Sequence, residues 1–258
     1  MTLTICLAAF LLATAADPAP PAPAPATYAA APASPAVDPA ALAPVKRMSD
    51  KLARARTFTV RARLALELPT ESGALGTYFT RASVAIRRPD GFAATRGGDL
   101  PEMRFAYDGK TMTILVPATG KWGSAAAPPT LDQTLVAAFE QGGLSFPADE
   151  LVVADPYAAI TRGITLAARV GRHAPGDQKT EHVVLASPEL QLELWIDPAT
   201  DLPARAAVIY TDHPLRPHFA VEYSDWKIDP ALPASTFALP RPAGGKDVGF
   251  KEASSAFR

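Results

Sequence analysis

The sequence predicts an α+β fold built on an antiparallel sheet of about ten strands, with a few helices covering the sheet. Alternation of apolar and polar residues at period two recurs between residues 58 and 223, and it is typical of strands with one covered and one wet face. Helical patterns are fewer than strand patterns. One helical pattern precedes the strands, and two lie together in the middle of the chain. Turn dipeptides such as Asp-Gly and Asp-Pro separate the strand patterns.

The N-terminus predicts export. Residues 1–16 contain an apolar run from Leu3 to Ala13 that is too short to span a bilayer, and small residues suitable for cleavage follow it. We therefore predict a cleaved signal peptide over 1–16. A retained anchor is the alternative, because the first two residues carry no Lys or Arg. The single cysteine, Cys6, lies inside the apolar run, so the mature chain is expected to contain no disulfide.

Composition divides the rest of the chain. Residues 17–44 are almost wholly Ala and Pro, which predicts a semi-rigid disordered linker. Residues 45–240 are long enough for one domain with a sizeable core, and 241–258 are predicted to be a flexible tail. The net charge of −1 provides no electrostatic argument for nucleic acid, so none is expected as a partner.

The first predicted element of the domain is a short amphipathic helix from Val45 to Arg56. Its apolar residues recur at helical spacing, and its outer face is basic. Period-two strands follow, in which Arg61 and Arg63 face away from the apolar side. Outside the central hairpin, the predicted strands lie within 58–68, 78–86, 182–186, 190–196, 206–210 and 219–223.

A hairpin is predicted around Asp108-Gly109. Two alternating apolar runs flank this pair, and Asp-Gly in that setting favours a type I′ turn with both residues at positive φ. A second turn at 117–120 returns the chain into a third strand at Lys121-Trp122. The three strands would form a meander that carries no catalytic constellation.

Two helices are predicted in the middle of the chain. Thr130 is placed as the N-cap of a helix that reaches Gln141, and a Gly-Gly pair ends it. Asp155 is placed as the cap of a second, shorter helix, with Pro156 at its first position and Gly163 after its end.

The sequence carries none of the common catalytic motifs. The sequence contains no serine elbow, HExxH, CxxC, phosphate-binding glycine loop or GxGxxG. A metal site formed by Asp212, His213 and His218 would match no standard ligand spacing, because two prolines make that stretch a loop. We therefore expect no enzyme activity, no metal and no cofactor. A secreted hydrolase that uses surface carboxylates or this loop is the least favoured alternative.

The order of motifs resembles two related groups of proteins. The segments at 88–92 and 105–122 resemble a recurrent segment of the LolA/LolB-type lipoprotein carrier superfamily, and the run from Val45 to Pro240 resembles the DUF2092 family of predicted periplasmic proteins. The segments that carry the DUF2092 resemblance are MSDKLARARTFTV at 48–60, PPTLDQTLVAAF at 128–139, DPYAAITRGI at 155–164, LELWIDPATDLPARAAVIY at 192–210 and YSDWKIDPALPASTFAL at 223–239.

This resemblance implies a strongly curved antiparallel half-barrel that helices close, as in LolA, and a periplasmic location. It implies no catalytic residues. The apolar side of such a sheet would receive an acyl chain, and we expect a monomer that binds a lipid or a lipidated protein segment. The candidate ligand-binding residues are Phe58, Val60, Leu64, Leu66, Phe105, Tyr107, Met112 and Ile114 as the cavity lining, with Leu135 and Phe139 as a lid.

The main alternative is a protein–protein interaction or sensor module of the envelope. It would use the same fold without a lipid cargo and would recognise its partner through a sheet edge or through the basic first helix. Lys46, Arg47 and Lys51 would then lie close to the partner.

Overall fold

The computed structural model describes residues 36–173 and 179–255, which form twelve strands and four α-helices. The strands are β1 Thr57–Pro69, β2 Leu75–Arg87, β3 Gly91–Gly98, β4 Met103–Tyr107, β5 Thr111–Val116, β6 Lys121–Ala126, β7 Leu166–His173, β8 Thr180–Ala186, β9 Leu190–Asp197, β10 Leu202–Tyr210, β11 His218–Ile228 and β12 Lys246–Asp247. The helices are α1 Pro39–Arg54, α2 Leu131–Gly142, α3 Pro156–Thr161 and α4 Phe250–Ser254.

All twelve strands belong to one curved sheet that does not close into a barrel. The strand order is β12-β6-β5-β4-β3-β2-β1-β11-β10-β9-β8-β7, and every pair is antiparallel except β12 with β6. The predicted fold class, a curved antiparallel sheet covered by a few helices, is therefore confirmed. Within the described residues, no helix is both long enough and apolar enough to cross a membrane.

The two long central strands explain why the sheet has distinct sides. In β1, buried residues such as Phe58, Val60 and Leu64 alternate with the exposed Arg61 and Arg63, as the period-two pattern predicts. Strand β2 pairs with β1 along its whole length and continues the alternation. We call the side that carries the buried residues the covered face and the other side the open face.

The helices cover two separate parts of the covered face. Helix α1 packs over β7 to β10, where Val45, Met48 and Leu52 are fully buried. Helices α2 and α4 pack over the other end of the sheet, against the strands from β3 to β6. Two hydrophobic clusters result, one under α1 and one under α2 and α4. The chain that links α2 to α3 lies over the space between these two clusters.

The caps predicted for the central helices are confirmed. The Thr130 side chain accepts a hydrogen bond from the backbone of Gln133, and Gly143 ends α2 with a φ of 66°. The Asp155 side chain accepts a hydrogen bond from the backbone of Ala158 at 3.0 Å and so begins α3. Local sequence alone determines both helix starts.

Both predicted domain boundaries need correction. Helix α1 begins at Pro39, inside the predicted linker of 17–44, because Asp38 caps it and accepts a hydrogen bond from Ala40 at 2.8 Å. The predicted tail of 241–258 is ordered as far as it is described. It adds β12 to the sheet edge, and it buries Phe250 of α4 in the core. The predicted signal peptide lies outside the described residues, as does most of the linker.

The hairpin at Asp108 is confirmed, but its predicted type I′ turn is wrong. Gly109 has a φ of 98°, whereas Asp108 does not have a positive φ. The Asp108 carboxylate instead accepts hydrogen bonds from the backbone of Lys110 and Thr111, at 2.9 and 2.8 Å. The side chain thus stabilises a wider turn, which the turn propensity of Asp-Gly alone does not predict.

Three strands of the sheet were not predicted from the sequence. They are β3, β7 and β12.

The basic face of α1 is partly used within the chain. Arg47 contacts the carboxylates of Glu181 and Asp201, and Lys46 contacts Asp50 one turn away. The two Arg47 pairs attach α1 to β8 and to the turn between β9 and β10, and all three pairs offset part of the positive charge of the helix.

Candidate functional site

The link between α2 and α3 covers the gap between the two hydrophobic clusters. We call residues 144–153 the covering segment. It leaves α2 at Gly143, buries Leu144 and Leu151, and forms a 3-10 turn at Asp149–Leu151. Ala148 precedes this turn with a φ of 62°, a conformation that L-residues other than Asn and Asp seldom adopt. The segment is therefore held by its contacts with the sheet rather than by its own propensity.

Phe146 anchors the covering segment to the sheet. Its ring lies edge-on to Phe92 at 4.9 Å and to Phe105 at 5.0 Å between ring centroids. Aromatic pairs in this geometry stabilise by about 0.5–1.5 kcal/mol beyond their buried area. This attachment places residues 145–149 across the middle of the covered face.

A first cavity lies directly beneath the segment. This central chamber has a volume of about 100 Å³ and is bounded by β1, β2, β3 and β11. Its walls are mostly apolar. The chamber-lining side chains from the sheet include Phe58, Val60, Leu64, Val84, Phe92, Met103, Val221, Tyr223 and Trp226.

A second cavity lies on the other side of the segment, beneath α3. This α3 chamber has a volume of about 290 Å³ and is bounded by the strands from β8 to β11. Its sheet wall consists of Leu185, Leu190, Leu192, Val208, Tyr210 and Phe219. Residues 145–149 line both chambers, so the covering segment separates two apolar spaces on one sheet face.

Arg88 attaches the far end of the covering segment. One guanidinium nitrogen donates a hydrogen bond to the Val152 carbonyl at 2.8 Å, and the guanidinium lies 5.9 Å from the Phe58 ring centroid. Burial lowers the pKa of Arg88, and the Asp132 carboxylate opposes that shift. Two other guanidinium nitrogens are buried without a hydrogen-bond partner among the described residues. The charge is therefore poorly solvated, and its direct hydrogen bond to the Val152 carbonyl is supplemented by the Asp132 carboxylate and the Phe58 ring.

Two further polar groups lie beside the chambers. The Tyr223 hydroxyl is buried at the central chamber and has no hydrogen-bond partner in the described chain. Burial raises its pKa, so it stays protonated and can donate a hydrogen bond. Burial, followed by repulsion from Glu150, raises the pKa of Asp149 to about 7. The walls are thus mostly apolar, as is typical of ligand sites, and the other charged side chains that line them are Arg96, Glu150 and Arg162.

No catalytic or metal constellation accompanies these chambers. Within residues 36–173 and 179–255, no group of three or more His, Cys, Asp and Glu side chains is placed to hold a metal ion. The imidazole of His213 accepts a hydrogen bond from the backbone of Leu215 and stabilises its own turn. The residues that line the two chambers can enclose an apolar group, and they include no His or Cys.

Comparison with protein families identifies the chain. The family model described as "Predicted periplasmic protein (DUF2092)" matches residues 41–251. The chain belongs to this family. The match spans most of α1, the whole sheet and the first two residues of α4, so both chambers of the DUF2092 protein lie inside it. The resemblance to DUF2092 found in the sequence is confirmed.

Solved structures resemble the DUF2092 protein at low sequence identity. The lipoprotein LppX from Mycobacterium tuberculosis is 14% identical with a TM-score of 0.46, and 73% of this chain and 96% of that chain are covered. LprF from Mycobacterium bovis is 14% identical with a TM-score of 0.44, covering 77% and 98%. A LolA superfamily protein from Nitrosomonas europaea is 13% identical with a TM-score of 0.32, covering 75% and 97%. No curated protein matches the sequence.

Three of the predicted lining residues reach a chamber in the DUF2092 protein. Phe58, Val60 and Leu64 line the central chamber. Leu66 is buried in the cluster under α1 and lines neither chamber. The predicted lid residue Leu135 lies in the packed cluster under α2 and α4. The same cluster contains the remaining predicted wall residues, which are Phe105, Tyr107, Met112 and Ile114.

The wall and lid predictions are corrected accordingly. The hairpin at Asp108 does not line a chamber, because Tyr107 is fully buried and donates a hydrogen bond to the Pro128 carbonyl at 2.7 Å. Phe139 is 62% exposed on the outer side of α2, so it cannot close a cavity at the sheet. The covering segment lies where the sequence predicted a helical lid.

Sequence reasoning missed the residues that shape the site. Phe146 lies in a loop that no motif marks. Arg88 and Tyr223 begin two segments that carry the family resemblance, but nothing in those segments predicted that either residue shapes the site. One usable signal precedes Phe146, because the glycines that end α2 are followed by apolar residues rather than by polar turn residues. An apolar loop after a helix stop indicates a buried connection.

Proposed function

We propose that this DUF2092 protein is a non-enzymatic periplasmic protein that binds the acyl chain of a lipid or of a lipidated protein between the covered sheet face and the covering segment. One observation carries the proposal. The middle of the covered face holds two apolar chambers and a loop, whereas both ends of the same face are filled by packed helices. Export by the predicted signal peptide of 1–16 would deliver the protein to the periplasm.

The size of the chambers limits what each can hold. Small-molecule sites commonly measure about 300–1,000 Å³. The α3 chamber, at about 290 Å³, lies near the lower end of that range, and the central chamber is smaller. We infer that the α3 chamber, in the conformation described, can hold part of one acyl chain. A longer chain would need residues 145–149 to move aside and join the two spaces.

The energetics favour apolar cargo. Each methylene removed from water contributes about 0.8 kcal/mol. An acyl segment of ~8 carbons would therefore contribute on the order of 6 kcal/mol, before the cost of ordering the chain and displacing the covering segment. The buried Tyr223 hydroxyl could donate a hydrogen bond to an ester or amide carbonyl of such a ligand, which would satisfy a group that lacks a partner within the described residues.

The test measures lipid directly. Native mass spectrometry of protein purified from its host should detect a bound lipid, and a fluorescent fatty acid should bind to delipidated protein. Leu192→Trp, which fills the α3 chamber, should weaken that binding about tenfold, or ~1.4 kcal/mol. Leu68→Trp is the matched control, because Leu68 is 39% exposed and lines neither chamber. A lipid-free mass together with no uptake of the fatty acid would refute the proposal.

A further inference from the structure

A groove runs across the outside of the covering segment, between α2 and α3. This α2–α3 groove has a volume of about 650 Å³. Its floor is formed by Leu144, Ser145 and Val153, and the turn between β8 and β9 closes one end. The groove adjoins the α3 chamber, because both are lined by residues of the covering segment, of α3 and of the turn between β8 and β9.

The wall formed by α2 is unusually apolar for an outer helix face. Val136 and Phe139 are 57% and 62% exposed, and they lie three residues apart on the helix, so their side chains are neighbours. The buried face of α2 already holds Leu131, Leu135 and Ala138. These two exposed side chains are therefore additional to the core and lack a packing partner there.

The charges around the groove have one sign. Five carboxylates line it against a single guanidinium, that of Arg162, and none of these groups forms an ion pair within the described part of the chain. Four carboxylates remain even when Asp149 is protonated. The acidic residues are Asp132, Asp149, Glu150, Asp155 and Glu189.

We propose that the α2–α3 groove docks a basic amphipathic helix of a partner protein. The apolar wall would receive the apolar face of that helix, and the carboxylates would receive its Lys and Arg side chains, which is a recurrent mode of peptide recognition. Helix α2 contributes twelve residues, about 18 Å of wall, which is enough to contact three turns of a partner helix. An anionic membrane surface fits poorly, because the acidic rim would repel it.

Docking at this groove would bear on the chambers. The partner would contact Ser145, Asp149 and Glu150, which also line the α3 chamber. A helix seated on the outside of the covering segment could therefore change access to the inside. This consequence rests on the lipid-binding function proposed above, whereas docking itself does not.

The test uses a synthetic probe. A fluorescent peptide of roughly 18 residues, with Leu at helical spacing and Lys elsewhere, should bind the full-length protein and bind less tightly at high salt. Phe139→Ser and Glu150→Gln should each weaken binding by at least about fivefold. Phe79→Ser and Glu71→Gln are the matched controls, because Phe79 is 65% exposed on the open face and Glu71 lies in an exposed turn. Both controls should bind the peptide like the wild type.

Two results would overturn the docking proposal. One is unchanged peptide affinity in both groove variants, and the other is equal binding of a peptide in which Glu replaces every Lys. Uptake of the fluorescent fatty acid is measured in parallel on the same proteins. Wild-type protein that takes up the fatty acid but does not bind the peptide would likewise refute the docking proposal alone. Wild-type protein that binds the peptide but takes up no fatty acid would refute only the lipid-binding function.

Discussion

At the scale of single residues, Asp149 has a pKa far from that of an ordinary carboxyl group. Burial and the nearby Glu150 carboxylate raise its pKa to about 7, whereas a solvated Asp titrates near 4. Protonation of Asp149 is thus more favourable in the folded protein than in the unfolded chain. An acid with a raised folded pKa stabilises fully below its unfolded pKa, and that contribution is lost as the pH rises through the folded pKa.

We expect Asp149→Asn to remove this pH dependence. Between about pH 4 and pH 7 the wild type should lose on the order of 2 kcal/mol of unfolding free energy relative to the variant, after solvent screening at this half-buried carboxylate is allowed for. Urea unfolding at a series of pH values measures the difference. The exposed Glu71→Gln variant is the control and should follow the wild type. Parallel curves for the wild type and Asp149→Asn would contradict the expectation.

Arg88 provides a second prediction at this scale. Arg88→Met removes the hydrogen bond to the Val152 carbonyl and should destabilise the protein by about 1–2 kcal/mol, while loosening the covering segment. Faster fatty-acid uptake should accompany the lower stability. Arg61→Met is the control, because its ion pair with Asp225 is exposed and should contribute less than about 1 kcal/mol. Equal losses of stability from the two substitutions would show that the hydrogen bond to Val152 contributes no more than an exposed ion pair.

At the scale of elements, the C-terminal segment behaves as part of the core. The Phe250 ring is buried and lies 6.4 Å from the Phe105 ring between centroids, and β12 extends the sheet beside β6. Close approach is required at Gly123, because a Cβ there would lie 2.2 Å from the carbonyl carbon of Gly249. The segment is thus fitted to the sheet edge along its length.

We expect Phe250→Ala to cost about 3 kcal/mol of unfolding free energy, because it leaves a cavity under α4. Chemical denaturation measures this loss. Lys251→Ala, at the next position on the exposed side, should change stability by less than about 0.5 kcal/mol. A loss below 1 kcal/mol for Phe250→Ala would mean that the segment contributes little to the core, roughly as a tail would.

At the scale of the whole molecule, one sheet face is covered in three different ways. Helix α1 covers one end, α2 and α4 cover the other, and the covering segment lies between them over the chambers. Packed ends give the sheet rigidity. The middle, which has fewer buried apolar contacts, is where local opening should cost least.

Hydrogen exchange tests this division. Amides of residues 144–153 should exchange faster than those of β1 and β2, and bound fatty acid should slow exchange in the covering segment selectively. Strands β4 and β5, under α2 and α4, should be unaffected by the ligand and serve as the internal control. Uniform protection across the sheet, with or without fatty acid, would contradict a mobile cover over a rigid frame.

Much of the fold could be read from local patterns. Alternation at period two identified the sides of β1 and β2, because successive side chains in a strand point to opposite faces. Thr130 and Asp155 identified two helix starts, because a side-chain cap needs only its own few residues. The same local logic failed at Asp108, where hydrogen bonds from the carboxylate changed the turn.

The site itself depended on tertiary structure. Alternation places Phe58 and Tyr107 on the covered face alike, yet Phe58 lines a chamber and Tyr107 is packed beneath α2. The amino-acid sequence by itself determined most of the strands and their two faces, the central helix caps and the family. Only the tertiary structure decided which part of the covered face is filled by helices and which is left to a loop, because that outcome depends on packing between segments far apart in the chain.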